Sequence, residues 1–153
     1  MELLLTKETD FSPYKNKRLL GLDVGDKTIG ISVCDRLWTI ASPLLLIERK
    51  NIAKDLEKLL GVFEKEAASM MVVGLPLNMN GSLGPQAQKV QKLMDKVQQV
   101  NDIPVVYWDE RLSTIAVTKA MIEADLSRKK RDKVVDKMAA TFILQGFIDG
   151  WRG

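Results

Sequence analysis

Asp23 is the residue whose position first suggests chemistry. It stands inside the apolar run R-L-L-G-L-D-V at residues 18–24. A carboxylate in a core strand is costly unless it is paired or binds a cation. Asp23 is therefore either part of a functional site or a cap of the turn near Gly25, where it would accept backbone N–H bonds. The run by itself leaves both interpretations open.

Other carboxylates can reach the same place. In open α/β sheets, reactive groups collect beyond the carboxyl ends of the parallel strands. Asp109 and Glu110 follow the last apolar run, and the sequence does not say which of the two points inward. Asp136 lies on the apolar-facing row of the last predicted helix. The positive end of the helix dipole is enough to explain Asp132, one turn earlier.

The absence of histidine restricts the chemistry. With no histidine among 153 residues, any acid–base or metal chemistry must use carboxylates. Gathered carboxylates repel one another, which raises their pKa values unless a cation compensates. Mg²⁺ and Mn²⁺ suit such oxygen ligands. Two such ions about 3.5–4 Å apart could activate a water and stabilise the leaving oxygen of a phosphodiester.

A basic segment lies between two predicted helices. Five basic residues and one acidic residue between Arg128 and Lys133 give it a net charge of +4, whereas the whole chain carries +3. A basic cluster on a near-neutral body favours contact with a polyanion such as nucleic acid. The alternative is a solvated basic loop.

Apolar periodicity predicts the elements that would position these residues. The predicted strands are 19–24 and 29–34, which form a hairpin, followed by 43–48, 70–75 and 103–108. The predicted helices are 53–68, 86–100, a helix capped by Ser113 or Thr114, and about 133–147. A hairpin followed by β-α-β units implies an α/β fold with a mixed sheet and helices on both faces.

The composition fits one domain at residues 18–150, preceded by a flexible N-terminal arm at 1–17. Apolar content is 46% and charged content 28%, as in soluble globular proteins. No apolar run approaches membrane-spanning length, and no signal-peptide pattern opens the chain. The single Cys34 excludes an internal disulfide and suits a reducing compartment. We therefore expect a cytoplasmic protein without membrane contact.

Four motifs, in this order, resemble those of the YqgF (RuvX) family. They are G-L-D-V-G-D-K-T-I-G-I-S-V-C-D from Gly21, V-V-G-L-P-L-N-M-N-G-S-L-G-P-Q-A from Val72, W-D-E-R-L-S-T from Trp108 and V-D-K-M-A-A-T-F-I-L-Q from Val135. The resemblance covers about residues 18–149. It implies an RNase H-like fold with a five-stranded mixed sheet, related to the RuvC Holliday junction resolvases.

The resemblance also implies roles for particular residues. Asp23, Glu110 and Asp136 take the places of the family's acidic catalytic residues and would hold Mg²⁺ or Mn²⁺, with Asp109 as the alternative in the middle position. Arg111 can pair with a carboxylate or a phosphate. The remaining candidates for nucleic-acid binding are Arg128, Lys129, Lys130, Arg131 and, in loop 76–84, Asn78 and Asn80. That loop could instead be a simple connector.

Two residues depart from the family pattern. Asp26 stands where an uncharged residue is common, and Cys34 stands where Ser often precedes the Asp. Neither departure removes an acid, although the extra charge of Asp26 could alter metal affinity.

The function implied by the resemblance is nucleolytic maturation of the 5′ end of 16S rRNA in the ribosomal precursor. One alternative is Holliday junction resolution on DNA, which would need a two-fold dimer because two symmetric strands must be cut. Another is a non-catalytic RNA-binding assembly factor that keeps the fold without the chemistry. The sequence leaves the oligomeric state open.

Overall fold

A six-stranded mixed sheet carries helices on both faces. The computed structural model describes the backbone of residues 2–4, 11–110 and 128–150, and the side chains of 11–110 and 138–150. The strands are β1 (Glu2–Leu4), β2 (Arg18–Val24), β3 (Thr28–Cys34), β4 (Ala41–Glu48), β5 (Ala68–Leu75) and β6 (Val105–Asp109). The helices are α1 (Ile52–Lys65), α2 (Pro85–Val100) and α3 (Arg128–Gly150).

The strand order is β1-β6-β5-β2-β3-β4. β2, β3 and β4 form an antiparallel meander, whereas β5, β6 and β1 run parallel to β2. The predicted mixed sheet with helices on both faces is thus confirmed in its five strands from β2 to β6. The short strand β1 is an addition to it.

The N-terminal residues that the structure describes contact the domain, and the flexibility predicted for the arm 1–17 stays a prediction. Glu2 pairs with Val105 and Leu4 with Tyr107 in the β1–β6 ladder. Phe11 is buried, and its ring meets that of Phe147 edge-on at a centroid distance of 5.1 Å. In the sequence, the only indication of this contact is that Phe11 is a large hydrophobic residue in a polar stretch.

The ends of three helices follow from local chemistry. α1 begins after Asn51, whose side chain accepts a bond from the Lys54 amide. It ends three residues before the predicted limit because Ala67 has a left-handed φ of 52°. Pro85 occupies the first turn of α2. α3 begins at Arg128, not near Lys133, because the basic residues before Lys133 are good helix formers.

Two hydrophobic cores flank the sheet, one on each face. The side chains of β2 alternate between them: Leu20 and Leu22 face α1 and α2, whereas Leu19 faces α3. The second core includes Ile143 and Phe147 of α3. None of the helices within the described residues has an apolar stretch long enough to cross a membrane.

The contact between α3 and β2 depends on Gly21. The buried Ser32 hydroxyl, on the strand beside Gly21, donates to the carbonyl of Ala140 at 2.7 Å. A Cβ on Gly21 would lie 2.8 Å from that same carbonyl oxygen and 2.7 Å from Leu144 Cβ. Only glycine therefore allows the helix backbone to approach the sheet this closely.

We expect Gly21→Ala to lower the free energy of unfolding by about 1–3 kcal/mol, because the added methyl overpacks the helix–sheet contact. Urea unfolding measures the effect. Gly61→Ala is the matched control, since nothing lies within 4 Å of a Cβ at Gly61 in α1. It should stabilise the helix by about 0.5–1 kcal/mol. Equal effects of the two substitutions would show that α3 does not rest on Gly21.

Candidate functional site

Asp23 lies at the carboxyl end of β2, on the sheet face that α3 covers. Gly21 faces α3, and side chains two residues apart on a strand point to the same face. Asp23 is half-buried and has Gly30 as its partner on β3. On its other side, β5 runs parallel to β2 and places Gly74 directly beyond Val73, the partner of Leu22.

Glu110 reaches the same place from β6. A Cβ on Gly74 would lie 2.8 Å from Glu110 Oε1 and would contact Ile143 of α3. The carboxylate of Glu110 therefore lies over Gly74, on the strand next to Asp23 and on the same face. Neighbouring strands are about 4.8 Å apart, so the structure brings these two predicted acids together.

Asp109 projects from the opposite face. Tyr107, two residues earlier, is part of the core beneath α1 and α2, and strand side chains alternate. Trp108, between them, is packed against α3, with 3.2 Å between its Cζ2 and a Cβ placed on Gly146. The geometry thus favours Glu110 over Asp109 as the acid that joins Asp23.

Asp136 is placed by its backbone alone. It is helical and lies one turn before Ala140, whose carbonyl is bonded to Ser32. The helix passes over Gly21 at Ala140 and over Gly74 at Ile143. Its side chain lies outside the described residues, so the third acid stays a prediction. Among the side chains that are described, no three acids, cysteines or histidines are close enough to hold a metal ion.

A clamp at the β2–β3 turn fixes the backbone that follows Asp23. The guanidinium of Arg49 donates to the Gly25 carbonyl at 3.0 Å and to Asp55 Oδ2 at 3.1 Å. Asp55 is 2% exposed and also accepts from the Lys50 amide. Sequence analysis missed this clamp, because Asp55 looks like an ordinary first-turn acid of α1.

The two departures from the family pattern have separate surroundings. Asp26 is exposed and pairs with Lys89 of α2 at 3.3 Å. Its negative charge is therefore partly neutralised by a lysine that does not belong to the acid site. Burial raises the pKa of the Cys34 thiol to about 11. This thiol is therefore protonated and unreactive at neutral pH.

The side chains of Asn78 and Asn80 hold loop 76–84 together. Asn78 Nδ2 donates to the Ser82 hydroxyl at 2.9 Å, and Asn80 Oδ1 accepts from the same hydroxyl at 2.6 Å. The Asn78 carboxamide also lies close to Gly84. These contacts give both residues a structural part in the loop, and their predicted contact with nucleic acid stays a prediction.

The predicted basic residues are described only in part. Arg111 lies outside the described residues, as does the predicted helix after Ser113 or Thr114. Residues 128–131 are helical in their backbone, so the basic segment belongs to the start of α3 and is not a loop. The predicted contact of this segment with nucleic acid stays a prediction.

Gly74 is the residue of this site that sequence reasoning passed over. It stands inside the apolar run of β5, where a glycine weakens a strand unless another group approaches closely. That signal was available in the sequence. The group that approaches, Glu110, could be identified only in three dimensions.

Comparisons with known proteins agree with the family resemblance of the four motifs. The family model described as RuvX: Holliday junction resolvase matches residues 17–150. A protein of Clostridium kluyveri named "Putative pre-16S rRNA nuclease" is 52% identical over 132 residues, which cover 86% of this chain and 96% of that protein. A protein of Clostridium botulinum with the same name has the same identity and coverage.

Two solved structures share the fold. Thermus thermophilus RuvC in complex with a Holliday junction substrate has a TM-score of 0.58 at 16% identity, covering 90% of this chain and 96% of that one. The fowlpox virus Holliday junction resolvase has a TM-score of 0.51 at 13% identity, with coverage of 87% and 99%. These likenesses confirm the RNase H-like fold that the motifs implied, and at such low identity they extend to the fold alone.

The contact between Glu110 and Gly74 can be tested by a double-mutant cycle. Gly74→Ala should lower the free energy of unfolding by about 1–3 kcal/mol, because the methyl takes the space of the carboxylate and of Ile143. In a Glu110→Ala background the cost should shrink by at least about 0.5 kcal/mol, since one of the two clashes is gone. Strictly additive costs in urea unfolding would mean that the carboxylate does not lie over Gly74.

Proposed function

The chain belongs to the RuvX family, and on this basis we propose that it is a metal-dependent nuclease that matures the 5′ end of 16S rRNA in the cytoplasm. The observation that carries the proposal is the Glu110 carboxylate over Gly74, beside Asp23 and on the same face of the sheet. Two acids from distant parts of the chain meet where an α/β sheet carries its reactive groups.

The donor set fits a hard divalent cation. Asp23 and Glu110 offer only carboxylate oxygens, which suit Mg²⁺ or Mn²⁺. Two neighbouring carboxylates repel each other, and a bound cation removes that cost. Asp136 would complete the set from α3. When bound, the metal supplies an activated water and charge stabilisation for phosphodiester hydrolysis.

The surrounding residues hold the two acids in place. Gly74 leaves room for the Glu110 carboxylate, and Gly21 with Ser32 docks the helix that carries Asp136. The Arg49 clamp fixes the turn directly after Asp23. A rigid arrangement of this kind keeps the two carboxylates positioned to hold the cation without reorganisation during the reaction.

The relatives suggest the substrate. The clostridial proteins, matched over 96% of their length, carry a name that specifies pre-16S rRNA. We therefore take ribosomal precursor RNA as the substrate. The second candidate is a four-way DNA junction, favoured by the description of the family model. Both substrates are phosphodiesters and would use the same acids.

We expect Asp23→Asn and Glu110→Gln each to lower the single-turnover cleavage rate by at least about 10²-fold, which corresponds to about 2.7 kcal/mol of transition-state stabilisation. Asp109→Asn is the matched control, since it removes a neighbouring carboxylate on the other face; its rate should stay within a few-fold of the parent. Single-turnover cleavage with Mg²⁺, Mn²⁺ or EDTA measures both effects. Cleavage that persists in EDTA would contradict the metal dependence, and a larger loss for Asp109→Asn than for Glu110→Gln would reverse the assignment of the middle acid.

The substrate is tested by comparing two labelled nucleic acids, a precursor RNA that spans the 5′ end of 16S rRNA and a four-way DNA junction. We expect metal-dependent cutting of the RNA that is lost in Asp23→Asn. Paired symmetric nicks in the junction would favour the resolvase instead. If the protein binds RNA but cleaves neither substrate with Mg²⁺ or Mn²⁺, the nuclease proposal fails and a non-catalytic assembly factor is the remaining alternative.

A further inference from the structure

A basic groove lies on the α1–α2 side of the sheet, at the same edge as the acids. Its volume is about 370 Å³. Three segments line it: the β2–β3 turn, the residues that lead into α1, and the first half of α2. The charged lining residues are Asp26, Arg49, Lys50, Asp55, Lys89 and Lys92.

The charges of the basic groove do not cancel. Arg49 is paired with the buried Asp55, and Lys89 is paired with Asp26. Lys50 and Lys92 are exposed, and neither forms an ion pair with any carboxylate that the structure describes. Two uncompensated positive charges therefore remain on opposite walls, one before α1 and one on α2.

The groove is tied rigidly to Asp23. Arg49 donates from its guanidinium to the Gly25 carbonyl and from its amide to the Lys27 carbonyl, at 3.0 and 2.8 Å. Asp26, on the rim of the groove, is three residues from Asp23, so their Cα atoms are at most about 11 Å apart. A nucleic-acid strand that reaches the acids can therefore reach the groove within a few nucleotides.

We propose that the basic groove binds backbone phosphates of the substrate strand beside the bond that is cut, with Lys50 and Lys92 as the contacting residues. This inference rests on the proposed function and adds a second contact surface to it. Asp23 and Glu110 repel a polyanion, so the strand needs cations nearby to hold it at the site. A lysine side chain supplies a point charge that binds a backbone phosphate whatever the base sequence of the strand.

The Asp26–Lys89 pair has a definite part in this arrangement. Both side chains are more than half exposed, and an exposed ion pair is held by at most about 1 kcal/mol. A phosphate in the groove competes with Asp26 for Lys89. Asp26 therefore weakens strand binding at this position.

The experiment measures the affinity of a fluorescein-labelled precursor RNA, and of a labelled four-way DNA junction, for the full chain. All proteins carry Asp23→Asn to prevent cleavage. Lys50→Gln with Lys92→Gln should weaken binding of the substrate strand about tenfold near 0.1 M salt and make the salt slope shallower by about 1.4, as expected for two lost contacts to a single strand. Lys58→Gln with Lys65→Gln is the matched control, because these exposed lysines of α1 lie outside the basic groove.

Each outcome decides the inference. A tenfold loss confined to the groove variant supports it, and the nucleic acid that shows the loss identifies the source of the phosphates. Equal affinities for the groove and control variants overturn the groove while leaving the proposed nuclease intact. If the parent protein binds neither nucleic acid, the groove and the proposed substrate both fail.

A substitution with the opposite sign completes the test. Asp26→Asn removes the partner of Lys89 and should tighten binding by up to about threefold, because one added phosphate contact gives half of the two-lysine effect on a logarithmic scale. Weaker or unchanged binding would overturn the competition between Asp26 and phosphate.

Discussion

The close approach of α3 to β2 controls where the other parts of the candidate site lie. Gly21 leaves the space, and the Ser32 hydroxyl donates to the Ala140 carbonyl within it. A helix carbonyl already bonded within its own helix can accept a second bond, so this contact buries Ser32 without leaving a donor unpaired. It fixes the height and register of α3 over the sheet, and with them the position of Asp136.

The acids follow from the same face of the sheet. β2, β5 and β6 turn Gly21, Gly74 and Trp108 toward α3, and the next residues of that parity at the strand ends are Asp23 and Glu110. The absence of a Cβ at Gly74 then leaves space for the Glu110 carboxylate over the neighbouring strand. Small residues inside strands thus decide where the charges meet, because a Cβ at either glycine would occupy the space of a helix carbonyl or of the Glu110 carboxylate.

Electrostatics separate the two sides of the sheet edge. The α3 side gathers carboxylates, and the α1–α2 side carries the basic groove. The Arg49–Asp55 pair lines the basic groove and anchors the turn after Asp23 through Gly25. Because Asp55 is buried, the removal of Arg49 would leave its carboxylate without a charged partner, so this pair helps to hold the turn in place.

Local patterns were enough to predict the strands and helices from β2 to α2, because short apolar runs and a helical period of 3.6 residues can be recognised without knowledge of the fold. The four motifs also identified the family and the candidate acids, which were Asp23 and either Glu110 or Asp109. The local patterns misplaced the start of α3 and the end of α1, where basic residues continue a helix and Ala67 turns left-handed. The preference for Glu110 over Asp109 comes from the folded sheet, because two adjacent residues of a strand point to opposite faces. The basic groove and the Arg49 clamp also became visible only in the fold, because the residues that line the groove are up to 67 positions apart in the sequence.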